Sequence, residues 1–166
     1  MKTVVLMRHA DSYPTDFSGY EFERPVSVTG LLQIEKIRSS NAQMWSEIDF
    51  VLCSGIKRAK QTFQAIYSTV RSNTRFMFDD DLVKISPSGL ISKLEWMPAI
   101  YNKILIVGHN PCLSQFISAV FPNEKVEPLD TCEAVVLQVD VDSWQDINFN
   151  RFILVERVRP TLDEAS

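Results

Sequence analysis

Three short apolar runs narrow the folding problem most: residues 3–7 (TVVLM), 50–53 (FVLC) and 104–107 (ILIV), none of them alternating with polar residues. A strand wetted on one face alternates, whereas an unbroken run of this length fits a strand covered on both faces in the middle of a parallel sheet. Between the runs the apolar spacing is helical. After a candidate cap at Thr29 come Leu31, Ile34, Ile37, Met44 and Trp45, and later Ala59, Thr62, Phe63, Ile66 and Val70. That alternation predicts an α/β fold.

The remaining segments extend the pattern. A third helical stretch is expected over residues 87–100, with Pro98 near its end. Residues 108–111 read as a turn into a helix, with Pro111 at the first helical position and a stripe of Leu113, Phe116, Ile117 and Val120 closed by Pro122. Residues 133–141 and 149–158 are two β runs separated by a polar stretch, which predicts an antiparallel pair. The expectation is therefore a mixed, mostly parallel central sheet with helices on both faces, a three-layer α/β/α arrangement. The 166 residues suit one domain, with residues 160–166 a loose tail.

Charge excludes some partners. With 17 Lys+Arg against 21 Asp+Glu, a formal net charge of −4 and a pI near 5.2, no nucleic-acid or membrane surface built on bulk positive charge is expected. Any anion site must be local. Cys53, Cys112 and Cys132 form no paired C-x-x-C signature, which suits a reducing, cytoplasmic compartment. The opening apolar run is too short for a signal peptide, and no run approaches the ~18 residues that span a bilayer. A monomer is the default expectation.

The chain holds two histidines, and each follows a strong strand-like run: VVLM-Arg8-His9 and ILIV-Gly108-His109. In open α/β sheets the carboxyl ends of the strands form the ligand crevice, so two chain-distant imidazoles can meet there. A cluster of Ser54, Lys57 and Arg58 follows the run at 50–53 and enters a helix. Arg58 in that opening turn points over the same crevice, where a guanidinium suits a bidentate hold on phosphate or carboxylate. Arg8, Arg58, His109 and a helix start after Asn110 together imply a dianionic ligand. His9 is then either a further clamp or a nucleophile, since a neutral imidazole nitrogen attacks phosphorus competently. Surrounding cations would serve the equatorial oxygens of the transition state without a metal or other cofactor. The acidic run Asp79, Asp80 and Asp81 reads as a solvated turn rather than a magnesium site.

These segments carry a resemblance. RHA at residues 8–10, RPVSVTG at 24–30, SGIKRAKQT at 54–62 and VGHNP at 107–111 resemble, in order and spacing, the histidine phosphatase superfamily, which is phosphoglycerate mutase-like in fold. The short chain and the GHNP form are similar to its small SixA-type phosphohistidine phosphatases. The resemblance implies a metal-independent hydrolase in which His9 is the phosphorylated nucleophile while Arg8, Arg58 and His109 hold the phosphoryl group. It gives Arg24 a supporting role in substrate binding, against a structural salt bridge as the alternative.

Departures from the family pattern bear on the substrate. Ala10 stands where many members have Gly, and Gly55 where many have Pro. Aligning on Leu82 puts Lys84 where phosphomonoesterase members place a glutamate acid. An alkoxide leaving group profits from such an acid, whereas imidazole leaves phosphorus easily once protonated, so the missing acid favours protein phosphohistidine as substrate. The alternatives are a small-molecule phosphomonoesterase using Asp81 or Glu95 as acid, and a non-catalytic phosphate-binding regulatory module. Opposed needs of the rings, His9 neutral and His109 protonated, predict a bell-shaped pH profile near neutrality. Specificity is expected in the loops at residues 12–23 and 87–89.

Overall fold

A computed structural model describes residues 1–15 and 20–162. Its strands are β1 (Lys2–Arg8), β2 (Phe50–Cys53), β3 (Arg75–Phe78), β4 (Lys103–Gly108), β5 (Ala134–Val139) and β6 (Phe152–Val158). They form one sheet in the order β3-β2-β4-β1-β5-β6. The first four strands run parallel, and β5 and β6 add an antiparallel edge. The expected mixed α/β sheet is what the chain adopts.

Helices cover both faces. On one side pack α1 (Val28–Ser40), α2 (Ala42–Ser46) and α3 (Lys57–Ile66), whose Ile37, Trp45 and Phe63 meet Val5, Met7 and Val107 of the sheet. On the other pack α4 (Pro87–Glu95) and α5 (Cys112–Val120), whose Leu90 and Phe116 meet Val4, Leu6 and Ile106. Alternate residues of β1 thus feed two cores, and Val4, Val5, Leu6 and Met7 are each fully buried. Burying a side chain of this size contributes roughly 1.5–3 kcal/mol, which is why the apolar run cannot alternate.

Local chemistry sets the helix ends, and several differ from expectation. The cap of α1 is Ser27, whose Oγ accepts from Gly30 N–H, rather than Thr29. Gly30 is required there, because a Cβ would lie 2.2 Å from the Asp11 carbonyl oxygen. Leu31 lies on the exposed face, and the segment breaks at Asn41 into two helices instead of one. The stretch expected over 87–100 is helical only to Glu95, capped at its start by Ser86. Pro111 sits one residue outside α5, as its N-cap.

Strand β3 escaped the pattern reading altogether. It is an edge strand with all four residues exposed, and Phe76 and Phe78 lean on Phe63 instead of filling a core. Nothing in RFMF alternates or runs β-branched. The tail expected at residues 160–166 lies partly outside the described residues. Among the described residues no helix is long and apolar enough to cross a membrane.

Candidate active site

Strand order brings the site together. β2, β4 and β1 are neighbours and parallel, with Cys53 paired to Val107 and Arg8 to Gly108. His9 and His109, the next residues of β1 and β4, are therefore level with each other, and Ser54, the next residue of β2, stands one step behind them beside Gly108. Backbone bonds extend the ladder one step further, from His9 N–H to Gly108 O at 3.0 Å and from Ser54 N–H to Val107 O at 2.9 Å. The two imidazole centroids lie 5.1 Å apart.

His9 is 5% exposed, and its Nδ1 lies 2.7 Å from the Ala10 carbonyl oxygen. A carbonyl can only accept, so the hydrogen-bond pattern assigns the proton to Nδ1 and leaves the Nε2 lone pair open. That lone pair accepts from Arg58 Nε at 3.2 Å. Burial, with the positive charges of Arg58 and Arg8 adding to it, lowers the His9 pKa to about 3. At neutral pH the ring is neutral with one bare nitrogen.

His109 is also buried, and its Nε2 lies 2.7 Å from Ser54 Oγ. Ser54 Oγ also accepts from Ile56 N–H, and with its hydroxyl donating to His109 Nε2 the ring proton sits on Nδ1. Burial and then the charges of Arg58 and Arg8 lower the His109 pKa to about 4. The site therefore holds two neutral rings near pH 7, whereas the expectation of a protonated His109 concerns the ring as a donor to phosphate. Two guanidinium groups already supply the positive charge, and a third cation in a dry site is electrostatically costly.

Three arginines converge here. Arg58, in the first turn of α3, is buried and holds His9 through Nε, while Nη1 donates to Glu21 O at 2.9 Å and Nη2 to Glu21 Oε1 at 3.0 Å. Arg8 donates through Nη1 to Leu129 O at 3.0 Å. Arg24 lies 3.4 Å from Glu21 Oε2, and its charge lowers the pKa of both Arg8 and Arg58. Arg24 is thus ion-paired in its loop, and its charge reaches Arg8 and Arg58. Among the described residues, the buried side-chain nitrogens without a hydrogen-bond partner are Arg8 Nε, Arg24 Nε and His109 Nδ1. Leaving a buried donor unpaired costs about 1–3 kcal/mol, and Arg8 Nε and His109 Nδ1, beside an Arg24 Nε held only by an ion pair, mark a place that suits an acceptor-rich ligand.

Other residues hold this geometry without having been singled out beforehand. Thr62, fully buried on α3, accepts from Ala10 N–H at 3.0 Å and donates to Arg58 O at 2.7 Å, tying the turn after His9 to the helix that carries Arg58. Its place four residues after Arg58 on one helix face was the available signal. Asn110 donates to Leu129 O at 2.8 Å and accepts from Ser114, so the turn after His109 supports the same carbonyl that holds Arg8. Glu21 had no signal, because only chain folding brings it to Arg58.

A groove of about 1260 Å³ opens beside the clamp, lined in part by Phe22, Lys57, Lys60, Lys84 and Trp96. Gly55 lies in its wall, and a Cβ there would stand 2.0 Å from Asp80 Oδ1, so the carboxylate of Asp80 fills the space of the missing side chain. Asp81 lines the same groove but is ion-paired to Lys93 at 2.9 Å, and Asp79 pairs with the same lysine at 2.7 Å. Lys84 is exposed. Burial pushes the Cys112 thiol up and away from reactivity. Residues 16–19 of the expected specificity loop lie outside the described residues.

The arrangement of sheet and clamp is a phosphoglycerate mutase-like α/β fold. No family model matches the chain, and no curated protein matches it by sequence. Solved structures do. A protein assigned as phosphohistidine phosphatase SixA in Nakamurella multipartitia superposes with a TM-score of 0.79 at 20% identity, over 97% of each chain. A protein histidine phosphatase SixA complexed with tungstate gives 0.79 at 18% identity, over 95% of this chain and 97% of the other. A mycobacterial glucosyl-3-phosphoglycerate phosphatase gives 0.66 at 12% identity, over 93% and 97%. The likeness in fold is thus greater to the SixA structures than to this sugar-phosphate phosphatase.

Proposed function

We propose that the chain is a metal-independent member of the histidine phosphatase superfamily that removes the phosphoryl group from phosphohistidine on a protein. His9 is the nucleophile, Arg8, Arg58 and His109 hold the phosphoryl oxygens, and Arg24 supports them. The observation that carries this reading is the tautomer of His9, whose Nδ1–H is held by Ala10 O while its Nε2 lone pair faces Arg58. In the first step Nε2 attacks phosphorus in line, the substrate P–N bond breaks, and the departing imidazole, protonated on its other nitrogen, leaves neutral. Water then attacks the phosphorus on His9, which releases inorganic phosphate and restores the ring. The guanidinium groups serve the charge on the equatorial oxygens in both steps.

No strong acid is needed for an imidazole leaving group, which suits a site where the family's acid position is Lys84. Asp81, held by Lys93, is poorly placed to replace it, and Glu95 lies at the end of α4 outside the groove lining. We further propose a single-domain monomer working in the cytoplasm, with the groove by Trp96 receiving the protein carrier. The test is side-by-side turnover of a phosphohistidine peptide and several sugar phosphates, with acid-labile phosphate trapped on His9. Faster turnover of the peptide and a label lost in His9→Ala support the reading. Preference for a sugar phosphate overturns the substrate, and binding without any turnover or label leaves a phosphate-binding module.

A further inference from the structure

Each nitrogen of the Arg58 guanidinium already has a partner in the clamp. Nε is on His9, and Nη1 and Nη2 are on the carbonyl and carboxylate of Glu21. The second carboxylate oxygen accepts from Thr15 Oγ1 at 3.0 Å and lies 3.4 Å from Arg24 Nε. One carboxylate therefore bridges two arginines, as a phosphoryl group would. Its charge is also felt at His109, across the clamp. In the same cluster Arg8 Nε and His109 Nδ1 have no hydrogen-bond partner, and Arg24 Nε meets Glu21 as an ion pair without a hydrogen bond.

We propose that Glu21 is a specificity-determining residue, a resident anion that an incoming phosphoryl group must displace from Arg58 and Arg24. The inference rests on the reading of this cluster as a phosphoryl site. Exposure fixes which partner yields: the Glu21 side chain is 50% exposed and that of Arg58 only 8%. The carboxylate can withdraw into water, whereas the guanidinium is held in the fold. Binding is then an exchange of anions, and exchange discriminates by charge. A monoanion merely replaces one negative charge with another, while a dianion brings a second charge to the donors that Glu21 leaves unpaired. Phosphate monoesters and phosphoramidates pass this threshold, and diesters and carboxylates do not.

Tungstate and perrhenate test this directly, being tetrahedral oxyanions of similar size that differ by one charge. Calorimetric titration of the wild-type protein should show tungstate binding and no measurable perrhenate binding. Glu21→Gln should tighten tungstate about five- to tenfold, the upper figure corresponding to ~1.4 kcal/mol, and make perrhenate binding measurable. Glu23→Gln, which removes an equal charge from the same turn without touching either arginine, should change neither. Unchanged or weaker tungstate binding in Glu21→Gln, checked by thermal melting against loss of fold, overturns the proposal. So does equal tightening in Glu23→Gln, which would reduce the effect to net charge. Failure of wild type and variant alike to bind tungstate sinks the phosphoryl reading and the proposal with it. Tungstate binding with the expected shifts, but without hydrolysis of any phosphoramidate, sinks only the phosphatase.

Discussion

On one wall of the site Ser54, His109 and His9 follow three neighbouring strands and are at most 5% exposed, while on the other Glu21 opens a single turn of 3-10 helix at the surface and Arg24 caps it. The strand-end wall has its backbone fixed by ladder hydrogen bonds between two cores, and its rings are held by Ala10 O, Arg58 and Ser54. The loop wall is held by ion pairs to a half-exposed carboxylate, each worth about 1 kcal/mol or less at such exposure. Rigid placement suits the groups that do chemistry, and weak placement suits a group that has to step aside. Selectivity can thus be altered on the loop wall without disturbing the reacting nitrogen.

The largest effect that would sharpen this contrast is on the rigid wall. His9→Ala should lower phosphate release by on the order of 10⁴-fold or more, read as single-turnover hydrolysis of a phosphohistidine peptide, since the other imidazole, His109, has its Nε2 tied to Ser54. Arg58→Ala, at the junction of the two walls, should cost about 10²–10³-fold in kcat, measured with the same substrate under saturation. A loss confined to KM would assign Arg58 to ground-state binding alone.

Acid sensitivity comes next. Both rings have folded pKa values below the ordinary 6.5, about 3 for His9 and about 4 for His109, so the unfolded chain binds more protons between these limits. Their stabilisation is complete above pH 6.5 and is lost as pH falls toward 4 and then 3, by about 1 kcal/mol per pH unit for each ring. Urea unfolding at pH 7 and pH 4.5 should show the drop, and His109→Asn should lessen it. A slope unaffected by that substitution would mean the ring is not buried neutral. The smallest effect expected is that of Thr62→Val, which strands the Ala10 N–H and should cost about 1–3 kcal/mol in the same assay. If activity fell while stability did not, Thr62 would position Arg58 without supporting the fold.

Much of the rigid wall was legible beforehand, and for a definite reason. An unbroken apolar run followed by a histidine states both that a strand is covered on two faces and where its carboxyl end lies, and this pattern occurs at His9 and His109. The four motifs added the order in which the ligands come. Helix boundaries were read less well at Thr29, Leu31 and Pro98, because capping depends on which short polar side chain reaches the first turn. Strand β3 was missed since an exposed edge needs no burial pattern. The lowered pKa of His109 has no mark in the sequence, because it comes from burial beside two arginines.

Local pattern therefore determined the elements, the fold class and the chemical type of the site residues, all of which depend on neighbours a few positions apart. Tertiary structure alone decided that β4 lies between β1 and β2, which is what sets the two rings 5.1 Å apart. It alone brought Glu21 to Arg58, 37 residues away, to sit where a ligand would. Strand order and loop closure are fixed by the packing of the whole chain, and a carboxylate in a surface turn carries no mark in the sequence of the guanidinium it will meet.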